Sequence, residues 1–198
     1  MRGLGGENVY GDGDIDFIFN RRRVEHMGGV VSAMREIKRA IIHTTATDPN
    51  WMEGQGAEAK RDEIDRWHKD KGWNGFGYHG LIDRPGDYIQ GRPYHTQGAH
   101  VSGHNGDSIG VTLVGGRGSS ADDEFSDNFT NEQEVALIEW MEEVNELFPG
   151  ITFHGHNEFA NRACPGFRVK DWMEMADLTE TPNVFAELMK LIMKLLGR

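Results

Sequence analysis

Residues 108–116 read Ser-Ile-Gly-Val-Thr-Leu-Val-Gly-Gly, and this stretch decides the fold class. It begins with alternating small or polar and apolar side chains, and it then becomes an apolar run that stops at two glycines. A short apolar run bounded by a turn signal is typical of a buried strand. We therefore predict that residues 108–114 form a central strand.

Further short strands are predicted on both sides of this stretch in the sequence. Residues 40–43 are an apolar run that ends in a histidine, and residues 151–153 follow a Pro-Gly pair. Residues 78–82 and 87–90 are separated by Arg-Pro-Gly, which is a turn signal. The last two segments are expected to be neighbouring strands.

Helical patterns alternate with these strands. Residues 57–71 place Ile64, Trp67 and His68 on one face. Thr130 and Gln133 form a capping box before a second apolar stripe, whereas residues 116–129 are predicted to be a loop. Since strands and helices interleave without a strict βαβ repeat, we predict a single α/β domain with a central mixed β-sheet flanked by helices.

The two ends of the chain are predicted to be extensions of this domain. Residues 1–37 are an N-terminal extension, residues 38–178 form the main domain, and residues 179–198 form a C-terminal amphipathic helix. Proline 182 stands at the first helical position of that helix, and a wide apolar stripe follows. We expect the stripe to pack on the domain; self-association through this helix and binding to a bilayer surface are the alternatives.

Charge and composition exclude several classes of function. The 198 residues carry a formal net charge of -11, so we expect no nucleic-acid partner, because binding to phosphates requires clustered basic residues. Cys164 is the one cysteine, which excludes an intramolecular disulfide. The sequence shows neither a signal peptide nor a membrane-spanning segment, so we expect a cytoplasmic protein without a membrane partner.

Two histidines and the cysteine have the character of zinc ligands. A catalytic zinc ion takes three protein ligands and keeps one position open. His43 ends a predicted strand, and His156 precedes Cys164 by eight residues, a spacing that suits a loop folded back on itself. His154 lies near the same strand end, so spacing alone leaves both His154 and His156 open as ligands.

The order of motifs between residues 38 and 175 identifies a family. This part of the chain resembles the zinc-dependent N-acetylmuramoyl-L-alanine amidases, which include the peptidoglycan recognition proteins. It is most similar to the small phage amidases that are historically called lysozymes of the T-odd phages. The matching segments are residues 41–47, 67–69 with 72–73, 77–79, 98–100 with 103 and 105, 108–116, 127–130, 155–158 and 163–166.

The resemblance implies an activity and a set of site residues. His43, His156 and Cys164 would bind Zn2+, and Tyr78 would be a catalytic residue. His100 and Asn105 would lie in the substrate-binding groove. The expected reaction is hydrolysis of the amide bond between N-acetylmuramic acid and L-alanine of peptidoglycan, by an endolysin that reaches the cell wall after lysis or release.

One position departs from the phage pattern. Two residues before the cysteine the phage enzymes carry a catalytic lysine, and this chain has Arg162. An arginine can stabilise a developing oxyanion, but it cannot donate a proton near neutral pH because its pKa is above ~12. We therefore expect Arg162 to be a catalytic residue that acts electrostatically, which leaves the proton donor to the leaving amine open.

Two other functions fit the same resemblance. Some recognition proteins of this fold bind peptidoglycan without cutting it, and they usually lack a zinc ligand, most often the cysteine. This chain keeps all three candidate ligands, which favours the enzyme. Some phage amidases also bind and inhibit an RNA polymerase; that partner follows from family analogy alone.

Overall fold

A computed structural model describes residues 35–176 and residue 178 of the chain. Five strands within these residues form one mixed sheet: β1 (Arg39–Thr44), β2 (Gly80–Ile82), β3 (Tyr88–Gln90), β4 (Ser108–Leu113) and β5 (Thr152–Gly155). Their order across the sheet is β3-β2-β4-β1-β5. β2 and β3 pair antiparallel, and the other neighbouring strands pair parallel. The predicted mixed sheet, with residues 108–113 at its centre, is confirmed.

In the part of the chain that the structure describes, four α-helices accompany the sheet: α1 (Ala57–Asp70), α2 (Phe125–Asn128), α3 (Asn131–Leu147) and α4 (Val169–Met175). The capping box that begins α3 is present, because the Gln133 amide N–H donates to Thr130 Oγ1 and the Thr130 N–H donates to the Gln133 side chain. Within residues 35–176, no helix combines the length and the apolar character that crossing a bilayer requires. The C-terminal helix predicted at residues 179–198 and most of the extension at residues 1–37 lie outside the described residues.

The strand alternation of β4 separates two faces of the sheet. Ile109, Val111 and Leu113 join the main hydrophobic core with residues of α3, including Leu137 and Trp140. A smaller cluster lies on the side of α1; its members are Ala57, Ile64, Phe76, Leu81 and Val114. Each large apolar side chain buried in this way contributes ~1.5–3 kcal/mol. Successive residues of a strand face opposite sides of the sheet. Packing of one set in the main core therefore leaves the other set on the side of α1.

Two short helices and one strand boundary differ from the sequence expectations. α2 lies inside the predicted loop, and the seven-residue α4 was not predicted, because neither helix is long enough to show a helical period. The strand predicted from Tyr78 begins only at Gly80. The Tyr78 carbonyl still accepts a hydrogen bond from the Arg92 N–H at 3.0 Å, so the chain at this point runs beside β3 without regular strand geometry.

A buried ion pair joins α1 to the end of β2. Lys60 Nζ lies 2.7 Å from both carboxylate oxygens of Asp83, and the two side chains are only 5% and 2% exposed. A second lysine–aspartate pair belongs to the same helix, since Lys69 Nζ contacts Asp65 at 2.6 Å, but the Lys69 side chain is 64% exposed. Burial is the main difference between these pairs.

Replacing the buried lysine should destabilise the protein severely. Lys60→Met leaves the Asp83 carboxylate buried without its cation, which should lower the free energy of unfolding by ~3–5 kcal/mol. Lys69→Met is the matched control and should cost no more than ~1 kcal/mol, because an exposed pair contributes little. Urea denaturation at a fixed zinc concentration measures both values. Equal losses in the two variants would contradict this account.

Candidate metal centre

The parallel pairing of β1 and β5 brings two candidate ligands together. Ile42 lies opposite Gly155 in the register, so the residues that follow them, His43 near the end of β1 and His156 just after β5, lie side by side at the carboxyl ends of the two strands. Their ring centroids are 4.7 Å apart. His43 is almost fully buried, and His156 begins a short 3-10 turn at the surface. Two imidazoles therefore meet at the carboxyl ends of adjacent strands.

The loop after β5 folds back and adds the thiol. The Asn157 N–H donates to the Cys164 carbonyl at 2.7 Å, which closes the loop between them. Cys164 Sγ accepts a hydrogen bond from the Thr44 N–H at 3.3 Å and lies 3.7 Å from His43 Nδ1. One ligand atom from each of His43, His156 and Cys164 lies within 4.8 Å of the other two. These three residues form the ligand cluster.

His154, the alternative that the spacing left open, has protein partners on both ring nitrogens. His154 Nδ1 lies 2.7 Å from a carboxylate oxygen of Glu158, and Nε2 lies 2.9 Å from Thr152 Oγ1. The other carboxylate oxygen of Glu158 accepts the Gly155 N–H at 2.8 Å. The structure thus brings His156 into the cluster, whereas the His154 side chain is held by neighbouring residues of β5 and of the turn that follows it.

Burial favours the neutral form of every group in the ligand cluster. It lowers the pKa of His43 well below its usual value, and the neighbouring histidines His100 and His156 act in the same direction. Burial also raises the pKa of the Cys164 thiol to about 11, against smaller opposing effects of the Thr44 N–H and Arg162. Neutral imidazole is the form that binds a metal, whereas the thiol needs a nearby cation to ionise.

Tyr78 packs against the cluster from the side of α1. Its ring centroid lies 5.1 Å from that of His43 and 5.7 Å from that of His68. Burial, followed by the charge of Cys164, raises the pKa of the Tyr78 hydroxyl above its usual value. The hydroxyl is therefore protonated at neutral pH and can donate a hydrogen bond.

His68 holds the turn that leads to Tyr78. His68 Nδ1 accepts a hydrogen bond from the Gly77 N–H at 3.0 Å. Burial lowers the pKa of His68 to about 4, so the ring is neutral at pH 7 and its nitrogen is available as an acceptor. His68 was part of the sequence motif, but this supporting role depends on a contact between residues nine positions apart.

Arg162 lies at the exposed side of the cluster. Its charge adds to the effect of burial in lowering the pKa of His156, and it partly opposes the burial that raises the pKa values of Tyr78 and Cys164, so the guanidinium is within electrostatic reach of all three. Its backbone N–H donates to the Ala160 carbonyl at 2.8 Å. Within residues 35–176, the structure gives the Arg162 side chain no hydrogen bond or ion pair.

Of the two residues expected to bind substrate, His100 contacts the ligand cluster and Asn105 supports the backbone of His100. His100 is only 8% exposed, and its Nδ1 lies 3.0 Å from His43 Nε2. Asn105 Oδ1 accepts the N–H groups of His100 and Val101 at 3.0 and 2.9 Å. Both side chains thus have protein partners, and neither contact was expected from the sequence.

Two further contributions to the candidate site were not predicted from the sequence. The Thr44 N–H, which donates to Cys164 Sγ, is a backbone group and leaves no signature in the sequence. Gly110 faces the His100 ring, and a Cβ atom there would lie 2.6 Å from His100 Nδ1. A glycine inside an otherwise apolar strand signals a close approach of this kind, so the sequence contained a hint.

Comparisons with known proteins agree with this geometry. The family model of N-acetylmuramoyl-L-alanine amidases matches residues 33–167. The endolysin of Escherichia phage T7 is 37% identical over 153 residues, which are 77% of this chain and 96% of the phage protein. The endolysin of Enterobacteria phage K11 is 35% identical over 144 residues, which are 73% of this chain and 90% of that protein.

A solved structure shows the same fold. The endolysin amidase LysCS from Clostridium intestinale superposes with a TM-score of 0.57 at 22% identity, covering 72% of this chain and 84% of the bacterial one. The fold, the arrangement of motifs and the family match agree. The chain belongs to the N-acetylmuramoyl-L-alanine amidase family, and phage endolysins are among its relatives in that family.

Removing one histidine at a time should distinguish the ligand from its neighbour. His156→Ala should lose most of its bound metal, whereas His154→Ala should retain about one zinc ion per chain, because the ring nitrogens of His154 are paired with Glu158 and Thr152. Inductively coupled plasma mass spectrometry on dialysed protein measures the metal content. The ligand assignment is wrong if His154→Ala loses the metal and His156→Ala keeps it.

Proposed function

We propose that this chain hydrolyses the amide bond between N-acetylmuramic acid and L-alanine of peptidoglycan, with a zinc ion bound by His43, His156 and Cys164. The observation that carries the proposal is the convergence of two imidazoles and one thiol at the ends of adjacent parallel strands. Membership of the amidase family supplies the reaction class, and the phage relatives are endolysins by name.

The ligand cluster suits zinc in its chemistry and its dimensions. Zinc takes thiolate and imidazole ligands at ~2.3 and ~2.0–2.1 Å, which puts nitrogen and sulfur ~3.5 Å apart in a tetrahedral site. The observed distance between His43 Nδ1 and Cys164 Sγ is 3.7 Å. Three protein ligands also match a catalytic site that leaves one position open. When bound, zinc would supply Lewis acidity for the hydrolysis of an amide.

Tyr78 and Arg162 would stabilise negative charge on the substrate. The Tyr78 hydroxyl keeps its proton at neutral pH, so it can donate a hydrogen bond to an oxygen that becomes negative during the reaction. An arginine carries its charge at any physiological pH, and the Arg162 side chain is exposed beside the cluster. The two groups approach the ligand cluster from the α1 side and from the loop after β5.

Analysis of the reaction products tests the proposed bond directly. Mass spectrometry of purified peptidoglycan after digestion should show free stem peptides that begin with L-alanine, together with glycan strands that keep the lactyl group. Zinc chelation should abolish these products and lower the melting temperature, because zinc binds only the folded site. Cleavage within the glycan or between stem-peptide residues would contradict the proposal, as would binding without cleavage.

Substitution of Arg162 should separate charge stabilisation from metal binding. Arg162→Ala should lower kcat by ~10²–10³ while the zinc content stays unchanged, because its charge acts on the reacting oxygen. Arg162→Lys should keep substantial activity, which should fall as the pH rises through the lysine pKa near ~10.4. Both values come from steady-state kinetics on a soluble muropeptide over a range of pH.

Arg168 provides the matched control for this experiment. It is another exposed arginine that follows the same loop, and it pairs with Asp122 at 2.6 Å, so Arg168→Ala should leave kcat unchanged. A near-normal kcat for Arg162→Ala would remove Arg162 from the reaction. Equal losses for the two alanine variants would point to a general effect of surface charge.

A further inference from the structure

The buried imidazole of His100 contacts the side of His43 that faces away from the ligand cluster. His43 Nδ1 lies 3.7 Å from Cys164 Sγ, so this nitrogen faces the cluster. The other ring nitrogen, His43 Nε2, lies 3.0 Å from His100 Nδ1. With Nδ1 turned toward the cluster, the orientation of the His43 ring depends on the partner of Nε2.

Hydrogen-bond chemistry gives this contact a single direction. A histidine that binds a metal through Nδ1 carries its proton on Nε2, so His43 must donate to His100 Nδ1. His100 then carries its own proton on Nε2, which lies 3.5 Å from Ser108 Oγ. The Ser108 hydroxyl donates at 2.6 Å to the carbonyl of His104, which can only accept. The chain of donors thus runs from His43 to a backbone carbonyl without a conflict.

The protein provides a closely fitted space for the His100 ring. A Cβ atom at Gly110 would lie 2.6 Å from His100 Nδ1, and one at Gly98 would lie 2.5 Å from Cδ2. Two positions without side chains therefore make room for the ring. The backbone of His100 is held as well, because its N–H donates to Asn105 Oδ1 at 3.0 Å. A ring confined in this way presents Nδ1 to His43 in one orientation.

We propose that His100 is a positioning residue for the metal ligand His43: it accepts the proton of His43 Nε2 and so holds Nδ1 toward the ligand cluster. This inference rests on the proposed function, because it assumes that the cluster binds zinc. It gives His100 a different role from the substrate contact that the family resemblance implies. Partners of this kind around a metal-binding histidine typically contribute 10–100-fold to metal affinity.

A pair of substitutions at position 100 tests the role. His100→Leu removes the acceptor and should raise the zinc Kd by ~10–100-fold. His100→Asn places an acceptor oxygen at nearly the same distance along the side chain as Nδ1, and it should keep the Kd within a few-fold of the unaltered protein. Competition with a chromophoric chelator measures the Kd. At saturating zinc, KM for a muropeptide should be the same in all three proteins.

Each alternative result has a definite meaning. A raised KM with an unchanged zinc Kd would overturn the proposal in favour of a substrate contact. If the unaltered protein binds zinc and cuts the muropeptide, but His100→Leu has the same zinc Kd, the role of His100 is overturned and the proposed function stays intact. An unaltered protein that binds no zinc or does not cut would contradict the proposed function itself.

A measurement on the unaltered zinc-loaded protein needs no substitution and therefore does not depend on whether a variant folds. Two-bond nitrogen–proton NMR spectra of histidine-labelled protein report which ring nitrogen carries the proton. Both His43 and His100 should carry it on Nε2. A proton on His100 Nδ1 would overturn the proposal, because that nitrogen could not then accept from His43.

Discussion

The parallel register between β1 and β5 is the constraint on which the candidate site depends. It sets Ile42 opposite Gly155 and so places His43 beside His156. Because successive strand residues face opposite sides, a slip of one residue would turn His43 into the main core and Ile42 out of it. Burial of Ile42 in that core therefore also fixes the side to which His43 points. The packing that stabilises the sheet therefore also positions the candidate ligands.

Burial of the ligand cluster leaves Cys164 with a thiol that only a nearby cation would ionise at neutral pH. A thiol whose pKa is raised to about 11 stays protonated at neutral pH, and imidazoles with lowered pKa values stay neutral. A divalent cation reverses the balance for the thiol alone, because it stabilises the thiolate and leaves the imidazoles as neutral ligands. Metal binding should therefore release a proton from Cys164 and stabilise the folded state. A cluster of two neutral imidazoles and one thiol therefore has the composition of a candidate zinc site.

Local patterns predicted most of the fold, whereas the three members of the ligand cluster were chosen by the family resemblance, and neither showed how these side chains are held. The capping box at Thr130 and the apolar run of β4 were readable because a few adjacent residues determine them. The choice between His154 and His156 was not readable from spacing, since it depends on the side chains of Glu158 and Thr152 as partners. Family resemblance supplied that choice before the structure did.

The position of His100 shows why the remaining part escaped prediction. The family resemblance implies a residue in the substrate groove, and the structure adds that the ring is buried between two glycines, Gly98 and Gly110, which are 12 positions apart in the sequence. The space between them exists only once β4 and the preceding loop have packed. A glycine that leaves space for a neighbouring ring is hard to recognise in a sequence, because it contributes an empty volume and no functional group.

The replacement of lysine by Arg162 bears on how protons move during the proposed hydrolysis. Arg162 cannot donate a proton near neutral pH, and the raised pKa of Tyr78 makes its hydroxyl a weak acid. The overall reaction nevertheless balances, since water adds oxygen to the carbonyl carbon and both of its protons end on the amine nitrogen, which leaves a carboxylate and an ammonium group. Neither side chain has to give up a proton permanently. In this chain, Arg162 and Tyr78 can therefore act purely by stabilising negative charge, while the attacking water supplies the protons that the leaving amine needs.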